Sequence, residues 1–197
     1  MAGLPGTGKT ELSKPLASRL GGIVLSKDKV RAPLFPSGAI NYASDQKNDF
    51  CMSVILMAAQ RIAAKDNVPF VFFDGRTFSR RRQVEEVIRA AAEVNADYRI
   101  LHLSCPDEGA LVRIRQGQGN HLAADRDRNL YGKVKARFEP IMPAKLDVDT
   151  SRSLEESVEQ CVADLKQPRS HRGIEKIRSK KIRVGACPEQ SRRVPLW

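Results

Sequence analysis

The sequence predicts an α/β fold, a mostly parallel sheet held between two layers of helices, and three observations lead there. Short runs rich in β-branched and aromatic residues alternate with longer segments of helical periodicity from residue 9 to residue 165. No internal repeat or low-complexity tract interrupts that alternation. The chain opens on Gly3-Leu4-Pro5-Gly6-Thr7-Gly8-Lys9-Thr10, a glycine-rich turn that runs straight into a helical pattern.

Lys9 to Leu20 reads as a helix with Leu12, Leu16 and Leu20 on one stripe, ended by Gly21-Gly22. "GIVLS" (22–26) reads as a short buried strand, and residues 44–65 as the longest helix, closed by Asn67. "VPFVFFDG" (68–75) is the clearest strand and ends in a carboxylate. Ser79 to Val94 is helical, "YRILHLSCP" (98–106) is a strand, and Asp107 to Gln116 starts another helix. The polar "GQGNHLAADRDR" (117–128) reads as a mobile loop. Asn129 to Phe138 is helical, "KLDVDTS" (145–151) is a short strand, and Leu154 to Leu165 is a closing amphipathic helix.

The opening turn fits G-x-x-x-x-G-K-[ST] at every fixed position, the phosphate-binding P-loop pattern. Its chemistry explains the residue types. Glycines allow positive φ, so successive backbone N–H groups can turn inward around a triphosphate, and the helix that follows adds its positive N-terminal end. Gly3, Leu4, Pro5, Gly6, Thr7 and Gly8 form the cradle, Lys9 reaches the β- and γ-phosphates, and the Thr10 hydroxyl ligates Mg²⁺. The expected fold is therefore a P-loop NTPase three-layer sandwich that binds ATP with Mg²⁺. Ligands of such sheets bind beyond the carboxyl ends of the strands. That rule singles out Asp28 and Arg31, Asp74, the 107–128 segment, and Asp149 to Ser151.

The combination "GLPGTGKT", "VLSKDKVR", "VFFDGRTFSRRR" and "DVDTSRSLEESV" resembles the P-loop small-molecule kinases that include polynucleotide 5′-hydroxyl kinase, zeta-toxin-like kinases and AAA-type ATP-binding kinases. The resemblance covers residues 1 to about 166. It implies phosphoryl transfer from ATP to a hydroxyl of a small molecule or nucleotide, with Lys9 catalytic, Asp28 as general base and Arg31 holding the acceptor. It places Asp74 near Mg²⁺ or the acceptor, and Arg81 and Arg82 as paired arginines on the acceptor. Arg113, Arg115, Arg126 and Arg128 fall in a lid-like segment whose arginines close over the phosphates, Arg113 and Arg126 as nucleotide contacts and Arg115 as a catalytic group. A lid excludes water and suppresses wasteful hydrolysis. "KDKVR" and "DRDRNLYGKVKARFE" also resemble adenylylsulfate kinase, although the second segment is a residue shorter here and lacks its Pro and Gly.

Each motif has a plainer use. Asp28 can cap the short helix that follows, Asp74 can be a turn residue ahead of Gly75, and Arg80 suits a solvated first helical turn. His102, His121 and His171 read as structural or solvent-facing, with no partner at catalytic spacing. The competing functional class is a P-loop NTPase or nucleotide-binding module without a phosphate acceptor. No signature around Asp149 to Arg152 decides between ATP and GTP.

Composition suits one globular domain: 197 residues, 41% hydrophobic and 29% charged. Absence of a long apolar run or signal peptide leads to an expectation of a soluble cytoplasmic protein, with no membrane partner. Cys51, Cys105, Cys161 and Cys187 are scattered without a C-x-x-C pair, so buried reduced thiols are expected rather than a zinc site or disulfides. The charge of +11 concentrates in residues 168–197, where nine Lys/Arg face two Glu, leaving +4 on the other 167. The expected organisation is a kinase domain over residues 1–167 and a basic, disordered tail over 168–197. The tail's uses are nucleic-acid contact, a solvated charge run, or translation past the natural end of the domain.

Only Met1 and Ala2 precede Gly3, whereas a loop of this kind hangs from a buried central strand. Losing that strand would expose two strand edges and cost more than the about 5 to 15 kcal/mol by which a domain is stable. The expectation is a sequence that begins several residues late and, as written, aggregates or binds nucleotide weakly.

Overall fold

The computed structural model describes residues 1–35, 45–117 and 127–168. Its elements follow as α1 (Lys9–Leu20), β1 (Ile23–Ser26), α2 (Lys27–Leu34), α3 (Asp45–Lys65), β2 (Val71–Asp74), α4 (Arg81–Glu93), β3 (Leu101–Ser104), α5 (Asp107–Gln116), α6 (Arg128–Ala136), β4 (Leu146–Asp149) and α7 (Leu154–Leu165). Met1–Lys166 form one compact unit.

α1, α5 and α7 have the expected spans. The strands are shorter than expected, for local reasons. In the 68–75 run Pro69 has no N–H to give to a ladder, and before Val71 only the Phe70 carbonyl is used, by Ile23 N at 2.9 Å. Gly75, at φ 82°, turns the chain out at the other end. α2 was expected only as a short helix that Asp28 would cap. It begins directly after β1 with Ser26 in the N-cap position, so Asp28 lies inside its first turn and the capping assignment is corrected. The 117–128 loop falls mostly on residues 118–126, outside the described residues, as do His121, His171, Cys187 and residues 169–197 of the tail.

All described ladders are parallel. β1 pairs with β2, Ile23 opposite Val71 through Ser26 opposite Asp74. β3 pairs with β4, Leu101 opposite Leu146 through Ser104 opposite Asp149. On that second pair His102 stands beside its register partner Asp147, Nδ1 to Oδ1 2.7 Å, and the hydrogen bond holds the carboxyl below its ordinary range. Ahead of the loop, where the sequence was expected to lack the feeding strand, Ala2 bridges His102 in parallel. Ala2 N donates to Leu101 O and Leu103 N to Ala2 O, both at 2.8 Å, while Met1 N reaches Phe73 O at 3.4 Å. Ala2 thus lies between the two strand pairs.

Strand alternation sends side chains to two helical layers. Val24, Phe72, Leu101, Leu103 and Val148 join Leu12, Leu16 and Leu20 of α1 and Val158, Cys161 and Leu165 of α7. Leu25 and Phe73, one position along, pack instead with Met52 and Ile55 of α3 and Val84 and Ile88 of α4. A smaller cluster of Ala110, Ile114 and Tyr131 ties α5 to α6, with Leu4 of the opening turn against it. Tyr131 Oη donates to Asp107 Oδ1 at 2.9 Å and Lys135 pairs with Asp107 Oδ2. Among the described residues no helix is long and apolar enough to cross a membrane.

Candidate nucleotide and acceptor site

The parallel registers bring the carboxyl ends of all four strands, Ser26, Asp74, Ser104 and Asp149, to one edge of the fold. The chain leaves Ala2 towards the same edge and enters the glycine-rich turn. Gly3, Gly6 and Gly8 have φ of 143°, 80° and 79°. At Gly6 a Cβ would sit 2.4 Å from Ala110 O of α5, so the turn packs on that helix where only glycine fits. At Gly8 a Cβ would make only ordinary contacts, to Arg113 Nη1 at 3.8 Å and Thr150 Cβ at 3.9 Å, so it is the positive φ that calls for glycine there. A glycine turn with this backbone at a helix N-terminus suits a nucleotide's phosphates.

Lys9 is buried and folded over the turn. Its Nζ donates to Gly3 O at 2.9 Å, Leu4 O at 2.6 Å and Thr7 Oγ1 at 3.3 Å. Thr10 Oγ1 lies 3.1 and 3.0 Å from the two oxygens of Asp74, which is itself buried at the end of β2. A hydroxyl and a carboxylate side by side are hard oxygen donors, the set Mg²⁺ accepts when phosphates and waters complete its shell. On the far side, Thr150 Oγ1 lies 3.2 Å from Thr7 O and 3.1 Å from Ser104 O. Arg113 grips the same residue, Nη1 to Thr150 Oγ1 at 3.2 Å and Nη2 to Thr150 O at 2.6 Å.

Beyond Asp74 lies a second group. A Cβ on Gly75 would come within 3.1 Å of the Asp28 carboxyl carbon, so Asp28 sits against the turn that follows β2. Lys27 Nζ is 3.2 Å from Asp28 Oδ1 and 3.2 Å from Asn48 Oδ1. Lys27, Asp28, Arg31 and Arg76 are all buried. Burial pushes the Lys27 ammonium down from its ordinary value, Asp28 opposes that, and Arg31 and Arg76 add to the lowering. Arg76 Nη2 donates to Asp49 Oδ1 at 2.5 Å, and Arg82 reaches Asp49 Oδ2 with Nη1 at 3.1 Å and Nη2 at 3.0 Å. Partial burial favours protonation of Asp49, but its hydrogen bonds to Arg76 and Arg82 prevail and hold the carboxyl low.

Lys9, Thr10, Asp74, Asp28, Arg31 and Arg113 therefore come together at one edge. Arg81 and Arg82 do not reach the same partner. Adjacent residues on a helix point about 100° apart. Arg82 turns to Asp49, while Arg81 lines a separate groove of about 330 Å³ beside Glu139, whose Oε2 accepts from Arg81 N at 2.6 Å. Arg113 and Arg115 divide likewise, since helix positions two apart do not share a face: both are exposed, and Arg113 reaches Thr150. Arg126 lies outside the described residues, and Arg128 is exposed at the start of α6. Sequence reasoning passed over Lys27, Asp49, Arg76 and Thr150. The strand-end rule had marked the segment containing Thr150 but not that residue, and Lys27 and Arg76 each follow a strand end within a quoted motif. Asp49, inside a helical run, carried no signal.

A glycine-rich turn entering a helix at the carboxyl edge of a parallel sheet, with a Thr–Asp pair beside it, defines a P-loop nucleotide-binding protein of the α/β class. The sequence model of the AAA domain family matches residues 1–141, and the chain belongs to that family. A search of curated proteins finds no match. Among solved structures the chain is similar to a gluconokinase from Sinorhizobium meliloti 1021, at 16% identity and TM-score 0.62, over 83% of this chain and 88% of that one. It is similar to a sugar kinase from Janibacter sp. HTCC2649, at 18% identity and TM-score 0.59, over 84% and 92%. It is also similar to the Mycobacterium tuberculosis APS kinase in complex with AMPPNP and APS, at 16% identity and TM-score 0.60, over 83% and 93%. Likeness at these identities is a likeness of fold.

Proposed function

We propose that this protein is an ATP-dependent kinase that transfers the γ-phosphoryl group, with Mg²⁺, to a hydroxyl of a small molecule or nucleotide. The observation that carries the reading is Asp28: a buried carboxylate held by Lys27 against the turn after Asp74, on the same edge as the Thr10–Asp74 pair. The fold neighbours are named as kinases, which agrees with the reading.

ATP and Mg²⁺, when bound, supply the transferable group and the neutralising charge. The turn's amides and Lys9 hold the β- and γ-phosphates, Lys9 exchanging its carbonyl partners for phosphate oxygens. Thr10 and Asp74 hold the metal ion. Arg113, anchored on Thr150 beside Gly8, faces the phosphates from α5. Asp28 accepts the proton of the attacking hydroxyl as its oxygen bonds to phosphorus and the bond to ADP breaks. Arg31 and Arg82 belong to the acceptor side, and Arg126 is assigned to the phosphates from the resemblance alone. Arg81 and Arg115 take no part. The catalytic unit is residues 1–167, with 168–197 a basic extension, and dependence on ATP assigns the protein to the cytoplasm.

The test is phosphate transfer from ATP resolved by mass, screened over sugars, sugar acids, nucleosides, aminoglycosides and 5′-hydroxyl oligonucleotides. Asp28→Asn is expected to lower kcat by about 10²-fold or more with Mg-ATP affinity unchanged. Hydrolysis indifferent to every acceptor and to Asp28→Asn would establish the nucleotide-binding module instead.

A further inference from the structure

The acceptor side of this edge gathers three buried cations beside its carboxylates. Lys27, Arg31 and Arg76 are each more than nine-tenths buried. Asp28 is within 3.2 Å of Lys27, Asp74 is committed to Thr10, and Asp49 is shared between Arg76 and the half-exposed Arg82. Arg76 has only one end of its guanidinium engaged. Nη2 bonds Asp49, while Nη1 is buried with no hydrogen-bond partner among the described residues. A buried charged donor left unmade is costly, and in a native fold it calls for an explanation. The position supplies one, since Arg76 follows Gly75 immediately and Gly75 touches Asp28.

From this juxtaposition, and building on the kinase reading above, we infer that the phosphate acceptor is an anion, a hydroxyl compound whose carboxylate, sulfate or phosphate group docks on Arg76 Nη1 beside Lys27. Arg31 and Arg76 both add to the lowering that burial imposes on Lys27, which agrees with three cations lying close together. A guanidinium edge suits any of these oxyanions, because two N–H groups can meet two oxygens. A neutral acceptor would leave the donor unmade, and selectivity follows from that penalty more than from added attraction. Asp49 serves as the internal counter-anion that keeps Arg76 in place before the acceptor arrives. At 34% side-chain exposure it stands nearer solvent than Arg76, at 7%.

Two measurements separate this inference from the reading it rests on. In the first, the full chain is saturated with Mg-AMPPNP, so that the P-loop is filled, and melted in sodium sulfate or in sodium chloride of equal ionic strength. The wild type is expected to gain thermal stability in sulfate, Arg76→Met to lose that gain, Arg76→Lys to keep part of it, and Asp49→Asn to bind sulfate severalfold more tightly. An equal gain in wild type and Arg76→Met, or no gain in the wild type and in Asp49→Asn, overturns the anion site. In the second, matched acceptors are compared: sorbitol with gluconate, and adenosine with its 5′-phosphate and 5′-phosphosulfate. The expected result is an anionic member favoured at least tenfold in kcat/KM, with the preference lost in Arg76→Lys mainly through KM. The anion that works best identifies which oxyanion is read. Sulfate binding without transfer to any acceptor would overturn the kinase reading and leave the anion site standing. Transfer without a charge preference would do the reverse.

Discussion

Thr150 is where three parts of the nucleotide site meet through one hydroxyl. Its oxygen receives Arg113 Nη1 at 3.2 Å and has one proton for two carbonyls, Thr7 O at 3.2 Å and Ser104 O at 3.1 Å. Valine keeps the shape and removes the hydroxyl, leaving a buried carbonyl of the turn and one guanidinium nitrogen without it. Thr150→Val should therefore cost about 1 to 3 kcal/mol in urea unfolding. Mg-ATP affinity should weaken roughly tenfold by calorimetry, the equivalent of about 1.4 kcal/mol. An unchanged Kd would show that the turn holds its form without this anchor. Residues of the turn itself were legible in the sequence because their chemistry is local: Gly3, Gly6 and Gly8 sit within eight positions and each needs positive φ. Thr150 is 143 positions from Thr7, and Asp49 is 27 from Arg76, so neither partnership leaves a trace in spacing.

α7 shows how an element's face sets the ionisation of one residue on it. Ser153 and Glu156 form a capping box at its start, Ser153 Oγ accepting from Glu156 N at 3.2 Å and Glu156 Oε2 accepting from Ser153 N at 3.0 Å. From that start Val158, Cys161 and Leu165 fall on the side turned to α1. Burial there pushes the Cys161 thiol up to about 12, with Asp164 adding to the shift. Because the folded value lies above the ordinary 9.0, the stabilisation is complete below pH 9. It is lost as pH rises towards 12, the unfolded chain releasing the proton first. Tyr131, pushed up to about 12 by burial and Asp107, acts with the same sign from α6. Unfolding free energies at pH 9, 10 and 11 should fall more steeply in the wild type than in Cys161→Ala, by up to about 1.4 kcal/mol per pH unit. Parallel slopes would refute the assignment. The start of α7 was legible because S-x-x-E is a short-range signal. The start of α2 was misplaced by two residues, since the helix follows β1 without a connecting turn.

At the scale of the molecule, the two strand pairs share few hydrogen bonds. Ala2 makes two to β3, and Met1 N one long one to β2. Cohesion across that line falls instead to the apolar cluster in which Leu16 is fully buried, with Phe72 from one pair and Leu101, Leu103 and Val148 from the other. Leu16→Ala should cost about 2 to 5 kcal/mol, a large share of the about 5 to 15 kcal/mol available to a domain. Yet α1 presents Lys9 and Thr10 at its first turn and Leu16 two turns later, so the cavity opens away from the phosphates. The variant should melt far lower in a single transition, because one cluster spans both pairs. It should still gain from Mg-ATP the increment that the wild type gains, about 2.7 kcal/mol at a hundredfold excess over Kd. Two separated transitions would show that the strand pairs fold independently. A collapsed increment would show that core packing under α1 governs the shape of the nucleotide turn.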